Sequence, residues 1–225
     1  NAAVPVLQES QEEATSPEVC EPWDDAPEAE EVEDVVAVEP PSEEGLAAIQ
    51  ADLHRLLALM GLEIGKDWFE ADAEIGEAID YCEYYARLAM QHFRYQPLTR
   101  IPVEDNCYCY IPLGAGAVVS PWNFPLAITA GMMVAAVVSG NTVVLKPSSD
   151  TPVIAHRLVQ LCAEAGIPDG VVNLVTGSGG EIGDYLVTHP DIRFVAFTGS
   201  ADVGLRVNRL SAGTSNGKWM TRIVA

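Results

Sequence analysis

Four short stretches carry the residues from which chemistry could be built. Pro121-Trp122-Asn123-Phe124-Pro125 holds one amide side chain between two prolines and two aromatics. A rigid amide donor suits a developing oxyanion, because a preorganised donor needs no reorganisation during reaction. The competing reading is a turn whose amide bonds to its own backbone. Lys146-Pro147-Ser148-Ser149 contains the one lysine between Lys66 and Lys218, and its ammonium suits a ribose hydroxyl or a phosphate. Gly177-Ser178-Gly179-Gly180-Glu181-Ile182-Gly183 departs from a G-x-G-x-x-G loop, since Ile182 stands in the third-glycine place and the glycine comes one residue late. It still reads as a helix start where N–H groups and the helix dipole favour an anion. Phe197-Thr198-Gly199-Ser200 puts a small hydroxyl residue before another helix.

The elements around these stretches explain their placement. Ala117-Val118-Val119-Ser120 is a short apolar strand, and residues 126–139 form a helix apolar nearly all round, stopped by Gly140 and Asn141. Thr142-Val143-Val144-Leu145-Lys146 is a second strand. A helix follows with Asp150 or Thr151 as N-cap and Pro152 in its first turn, ending at Gly166. Strands at 171–175 and 193–198 alternate with helices at 181–188 and 202–210. Apolar strands alternating with helices predict an α/β, doubly wound parallel sheet covered on both faces. Ligands of such sheets bind beyond the carboxyl ends of the strands, where the four stretches lie.

Two helices precede the sheet. Residues 46–60 place Leu46, Ile49, Leu53, Leu56, Leu57 and Met60 on one stripe. Residues 67–93 put Ile75, Ile79, Cys82, Tyr85 and Leu88 or Ala89 on one side, with Glu74, Glu77, Asp80 and Arg87 opposite. Pro97 and Pro102 end helical structure, and residues 107–111 read as a peripheral strand.

The 225 residues carry a formal net charge of -21. Nucleic-acid binding through a basic face is excluded, and an anionic membrane surface is disfavoured for the same reason. The charge is uneven: residues 1–45 hold 15 acids, six prolines and no Lys or Arg. That composition cannot bury enough apolar surface to offset ordering entropy, so it reads as a disordered acidic arm, either a docking tail or a solvated spacer. The expected organisation is this arm at 1–45, a helical lead-in with its strand at 46–113, and a nucleotide-binding domain at 114–225. Residues 106–145 lack charge, but prolines and Gly140-Asn141 break them into pieces shorter than the roughly 20 residues of a spanning helix. Five cysteines without a C-x-x-C pair or a His cluster argue against a metal site, and favour a reduced cytoplasmic or mitochondrial matrix setting.

Taken together, Pro121-Trp122-Asn123-Phe124-Pro125, Gly140-Asn141-Thr142-Val143-Val144-Leu145-Lys146-Pro147-Ser148, Gly166-Ile167-Pro168-Asp169-Gly170-Val171-Val172-Asn173 and Phe197-Thr198-Gly199-Ser200 resemble the aldehyde dehydrogenase superfamily in order and spacing. Glu70-Ala71-Asp72, Ala78-Ile79-Asp80, Tyr84-Tyr85-Ala86-Arg87, Pro147-Ser148-Ser149-Asp150 and Gly183-Asp184-Tyr185-Leu186 are similar to its glutamate-semialdehyde (1-pyrroline-5-carboxylate) branch. The resemblance covers residues 46–225. It implies NAD(P)-dependent oxidation of an aldehyde to an acid, with a cysteine thiolate, a hydride passed to the nicotinamide and a glutamate-activated water. It also implies oligomers, with residues 107–111 in the assembly arm. By resemblance, Asn123 is the oxyanion donor and Lys146 the ligand of the adenosine ribose. Trp122, Ser148, Gly177, Gly179, Gly180 and Ser200 lie along the cofactor, Phe124 flanks the substrate channel, and Glu83 meets a substrate ammonium or else faces solvent. Ser149 stands where many relatives carry a ribose-binding Glu, which leaves NADP open beside NAD.

The departures shape the functional expectation. The family's nucleophile lies in a Gly-Gln-x-Cys context and its general base in Glu-Leu-Gly-Gly, and neither occurs in these 225 residues. The expected function is therefore that of a cofactor-binding portion of an aldehyde dehydrogenase, not oxidising aldehydes alone. Two alternatives are a non-catalytic structural subunit docking through its acidic arm and a dinucleotide-binding regulatory module.

Overall fold

A computed structural model describes residues 43–94, 96, 98–99, 101–104, 106–212 and 220–225. Residues 1–42 of the expected acidic arm lie outside the described residues, while Glu43 begins the first helix, α1 (Glu43–Ile64). Gly65, at φ 69°, turns the chain after α1, and Asp67 caps α2 (Trp68–His92) by accepting a 2.8 Å hydrogen bond from Glu70 N.

Five parallel strands form one sheet in the order β3-β2-β1-β4-β5: β1 (Ala115–Val119), β2 (Thr142–Lys146), β3 (Val172–Leu174), β4 (Phe194–Phe197) and β5 (Arg222–Val224). The register sets Val119 opposite both Lys146 and Phe197, so the loops after β1, β2 and β4 leave the sheet side by side. Gly116 at the centre is required by packing: a Cβ there would sit 2.0 Å from the Phe194 ring.

Alternation along the strands sends side chains to two cores. Val118, Val143, Leu145 and Phe194 pack with Met133, Ala136 and Cys162, under α3 (Ala127–Val138) and α4 (Pro152–Glu164). Ala117, Val195 and Phe197 pack with Leu186, Val187 and Val207, under α5 (Asp184–Thr188) and α6 (Ala201–Ala212). The doubly wound expectation is met, and α1 and α2 add a layer: Leu56, Met60, Ala71, Ile75 and Ala78 bury against Leu126, Ala127, Ala130 and Ile154.

The structure differs from the sequence reading in several details. The buried face of α2 is Ala71, Glu74, Ile75 and Ala78, while Ile79 and Cys82 are exposed. Ala71 and Ala78 suit that face because α2 packs closely on α3, where the Tyr81 ring would lie 3.0–3.2 Å from a Cβ on Gly131. Residues 107–111 form no strand. Gln96 N donates 3.0 Å to Tyr108 O, but no ladder follows, because no strand of the described chain lies alongside. The helix expected at 181–188 starts instead as a single π-turn (Gly179–Gly183) running into α5. β5 has no counterpart in the sequence reading, since three residues with one half-buried side chain, Ile223, carry no readable pattern.

Candidate functional site

The strand ends are stitched together by backbone hydrogen bonds. Ser120 N donates 3.2 Å to Lys146 O, Thr198 N donates 3.1 Å to Val119 O, and Val175 N donates 2.9 Å to Leu145 O. The chain winds outward from β1 through β2 to β3, then returns to β4 on the other side of β1. That reversal between β1 and β4 is the switch point where open α/β sheets hold ligands.

Asn123 lies in the loop after β1 between buried Pro121 and Pro125, flanked by Trp122 and Phe124, which are 56% and 39% exposed. Among the described residues its side-chain amide makes no hydrogen bond, in contrast to the turn reading; only its backbone carbonyl is engaged, by Lys66 Nζ at 2.9 Å. The amide is thus exposed and uncommitted at the switch point.

Lys146 ends β2 with 4% of its surface exposed. Its Nζ donates 3.2 Å to Pro147 O, and among the described residues no carboxylate pairs with it. Burial pushes its pKa down, because the charged form loses hydration without gaining a counter-ion. The glycine turn comes against it: a Cβ on Gly183 would lie 4.0 Å from Lys146 Cε, and Ser149 Oγ donates 3.3 Å to Gly177 O. Gly177, at φ 155°, sits where a side chain would be strained and would displace the Ile182 δ-methyl, whereas Gly179 and Gly180 face open space. Ser178 Oγ accepts from Glu181 N at 3.3 Å and donates to the Glu181 carboxylate at 3.1 Å, so that leading amide is already taken.

The remaining expected residues are placed less pointedly. Ser148 Oγ accepts 3.3 Å from Asp150 N within the turn before α4. Ser200 N-caps α6, its Oγ accepting 3.4 Å from Val203 N. Glu83 stands on the solvent side of α2, paired with Arg87 at 3.0 Å. Cys162 is buried, and burial pushes its thiol up to about 11, while Cys82, Cys107 and Cys109 are exposed. A thiol raised in this way is a poor nucleophile. No cluster able to hold a metal ion occurs among the described residues.

The residues that sequence reasoning missed are acidic side chains reaching across the fold. Glu63, at the end of α1, accepts from Val153 N and Ile154 N at 2.8 and 2.9 Å and so caps α4, whose own Thr151 makes no side-chain cap. Glu74 does the same for α3 and pairs with Lys66. The available signal is a glutamate adjoining an apolar helix face, although its charge assigns it to the wet side.

The family model described as aldehyde dehydrogenase family matches residues 43–223. The chain belongs to the aldehyde dehydrogenase family. A 1-pyrroline-5-carboxylate dehydrogenase of Bacillus mycoides is 52% identical over 180 residues, covering 80% of this chain and 35% of the relative. A namesake from Bacillus cereus is 51% identical over the same length and shares. Among solved structures, 1-pyrroline-5-carboxylate dehydrogenase from Thermus with bound NAD aligns at TM-score 0.74 and 46% identity, over 79% of this chain and 35% of that one. Proline utilization A from Bdellovibrio bacteriovorus aligns at TM-score 0.75 and 44% identity, over 79% of this chain and 19% of that one. The chain thus spans about a third of the length of its curated relatives.

Proposed function

We propose that this chain provides the cofactor cradle and the oxyanion donor for NAD(P)-dependent oxidation of an aldehyde, glutamate semialdehyde in the breakdown of proline. The observation that carries the reading is Lys146, a buried ammonium with no carboxylate partner among the described residues, at the carboxyl end of a central strand. Such a charge is costly unless a ligand supplies acceptors. Lys146 binds the adenosine ribose, and open space at Gly179 and Gly180 lets a diphosphate approach the turn. Trp122, Ser148, Gly177 and Ser200 line the same edge. The bound dinucleotide supplies the hydride acceptor. Asn123 donates to the aldehyde oxygen as charge develops there, and Phe124 flanks the substrate.

The names of the relatives support the substrate, and the NAD bound to the Thermus protein supports a nicotinamide dinucleotide as the cofactor. Glu83 as an ammonium partner is not part of the proposal, because its pairing with Arg87 already accounts for it. None of the cysteines has the family nucleophile's neighbours, so the activity proposed for these residues is binding and oxyanion stabilisation. The proposed organisation is an acidic stretch at 1–45, a helical lead-in at 46–113 and the cofactor unit from 114 to 225. Association with other subunits, and a docking role for the acidic stretch, are likewise proposed.

Calorimetric titration of the purified chain with NAD is the test. Saturable one-to-one binding is expected, without NADH formation when glutamate semialdehyde is added. Absence of binding would sink the cofactor reading, and aldehyde-dependent NADH formation would sink the restriction to binding.

A further inference from the structure

The N-terminus of α3 presents two amides beside the candidate site, and neither is available to a substrate. Leu126 N and Ala127 N donate to Glu74 Oε1 at 2.7 and 3.0 Å. Glu74 is 1% exposed. Its other oxygen is ion-paired with Lys66, whose side chain is 6% exposed. The same ammonium donates 2.9 Å to Asn123 O and lies 4.1 Å from the centroid of the Phe124 ring. Two side chains therefore grip Asn123, Phe124, Leu126 and Ala127, while Pro121 and Pro125 restrict φ at two further positions.

This arrangement is costlier than its local alternatives. Capping a helix takes only a Ser, Thr or Asp at its own N-cap, yet α3 has Leu126 there with no side-chain cap. A buried ion pair is weak evidence for stability, because desolvation offsets much of the attraction. What the pair does supply is geometry. Lys66 is itself held between the left-handed Gly65 and the N-cap Asp67, so its backbone has little freedom. The pair is also neutral as a unit, so it adds no net negative charge beside a group that must receive an oxyanion.

We propose that Lys66 and Glu74 are positioning residues for Asn123. They fix the backbone from which its amide projects, and they occupy the α3 amides so that an oxyanion in this site has the Asn123 side chain as its donor. The catalytic consequence rests on the reading of Asn123 as that donor; the conformational statement does not.

The test is nuclear magnetic resonance on the full 225-residue chain. In the wild type, backbone order parameters at Trp122, Asn123 and Phe124 are expected near the rigid value of about 0.85, and in Lys66→Met below about 0.6, with β1 and β2 unchanged. In Glu74→Ala, exchange of the Leu126 and Ala127 amides should speed at least about tenfold relative to those of Val118 and Leu145. A loop as rigid in Lys66→Met as in the wild type overturns the proposal, as does loosening shared equally with the sheet, which marks a purely structural pair. Should neither variant fold, a wild-type loop with order parameters below about 0.6 is by itself enough to reject it. Asn123→Ala separates the two readings. It should leave Trp122 and Phe124 ordered, while the donor reading predicts a roughly 10²- to 10³-fold loss of kcat in the aldehyde-oxidising protein. Order with no such loss removes the donor reading and leaves the conformational one standing.

Discussion

Asn123 and Asn141 are the same side chain put to different uses. Asn141 is buried and committed at both ends: its Oδ1 accepts from Leu113 N and Gly114 N at 2.7 and 3.0 Å, and its Nδ2 donates 3.1 Å to Ala136 O. It joins the entry of β1 to the end of α3. Asn123 makes no such bonds among the described residues, and an uncommitted amide at a ligand edge is what a donor requires. Lys146 carries the same contrast in charge. Replacing it with Met keeps the aliphatic stem and removes the uncompensated ammonium. Lys146→Met is expected to raise the melting temperature of the free chain, because burying an unpaired charge costs free energy in the folded state. The same change should weaken NAD binding about tenfold or more, equivalent to losing ~1.4 kcal/mol. Thermal melts and calorimetry together check both signs; unchanged NAD affinity would remove Lys146 from the site.

At the scale of elements, the contact of α2 with α3 sets the position of the Asn123 loop. Gly131 faces the Tyr81 ring, whose atoms would lie 3.0–3.2 Å from an added Cβ. The Tyr81 hydroxyl is tied to Glu77 at 3.1 Å, which restrains the ring from turning aside. Gly131→Val should therefore destabilise the chain by about 1–3 kcal/mol, read as a fall in urea midpoint at constant m. Ala at this position has an offsetting gain of up to ~1 kcal/mol in helix propensity and should cost less. A Val variant as stable as the wild type would show that the helices separate readily. The α/β alternation behind this layer was legible because apolar strands, Gly140-Asn141 and Pro152 are local signals. Residues 107–111 misled as a strand because their composition suits pairing that the described chain does not offer.

Across the whole molecule, the helical layer and the sheet unit are joined by charged side chains as well as by apolar packing. Arg157 on α4 is 7% exposed; its Nη2 donates to both oxygens of Asp52 on α1 at 2.7 and 2.6 Å, and its Nη1 donates to Glu164 at 2.7 Å. The two carboxylates hold its guanidinium well above the usual range. Truncation removes these charged hydrogen bonds, but Glu164 is largely exposed and Asp52 keeps Arg55 at 4.0 Å, so Arg157→Ala should cost about 1–3 kcal/mol. Equilibrium unfolding measures it, and a loss below about 0.5 kcal/mol would reduce the pair to a surface contact.

The sequence alone determined the parallel α/β architecture, the four loops at the carboxyl ends of the strands, and the family to which the motifs belong. The first two depend on short-range patterns, namely strand-length apolar runs, glycine and proline punctuation, and hydroxyl or amide residues directly after a strand; the family came from the resemblance of the motifs. Tertiary structure decided which polar residues were inside. Glu74 reaches its amides across 52 residues, Lys66 its carbonyl across 57, and Glu63 its helix across 90. No periodicity records such a partner, because a carboxylate is buried only where another element brings unpaired N–H groups to meet it, and that meeting exists only once the helices have packed.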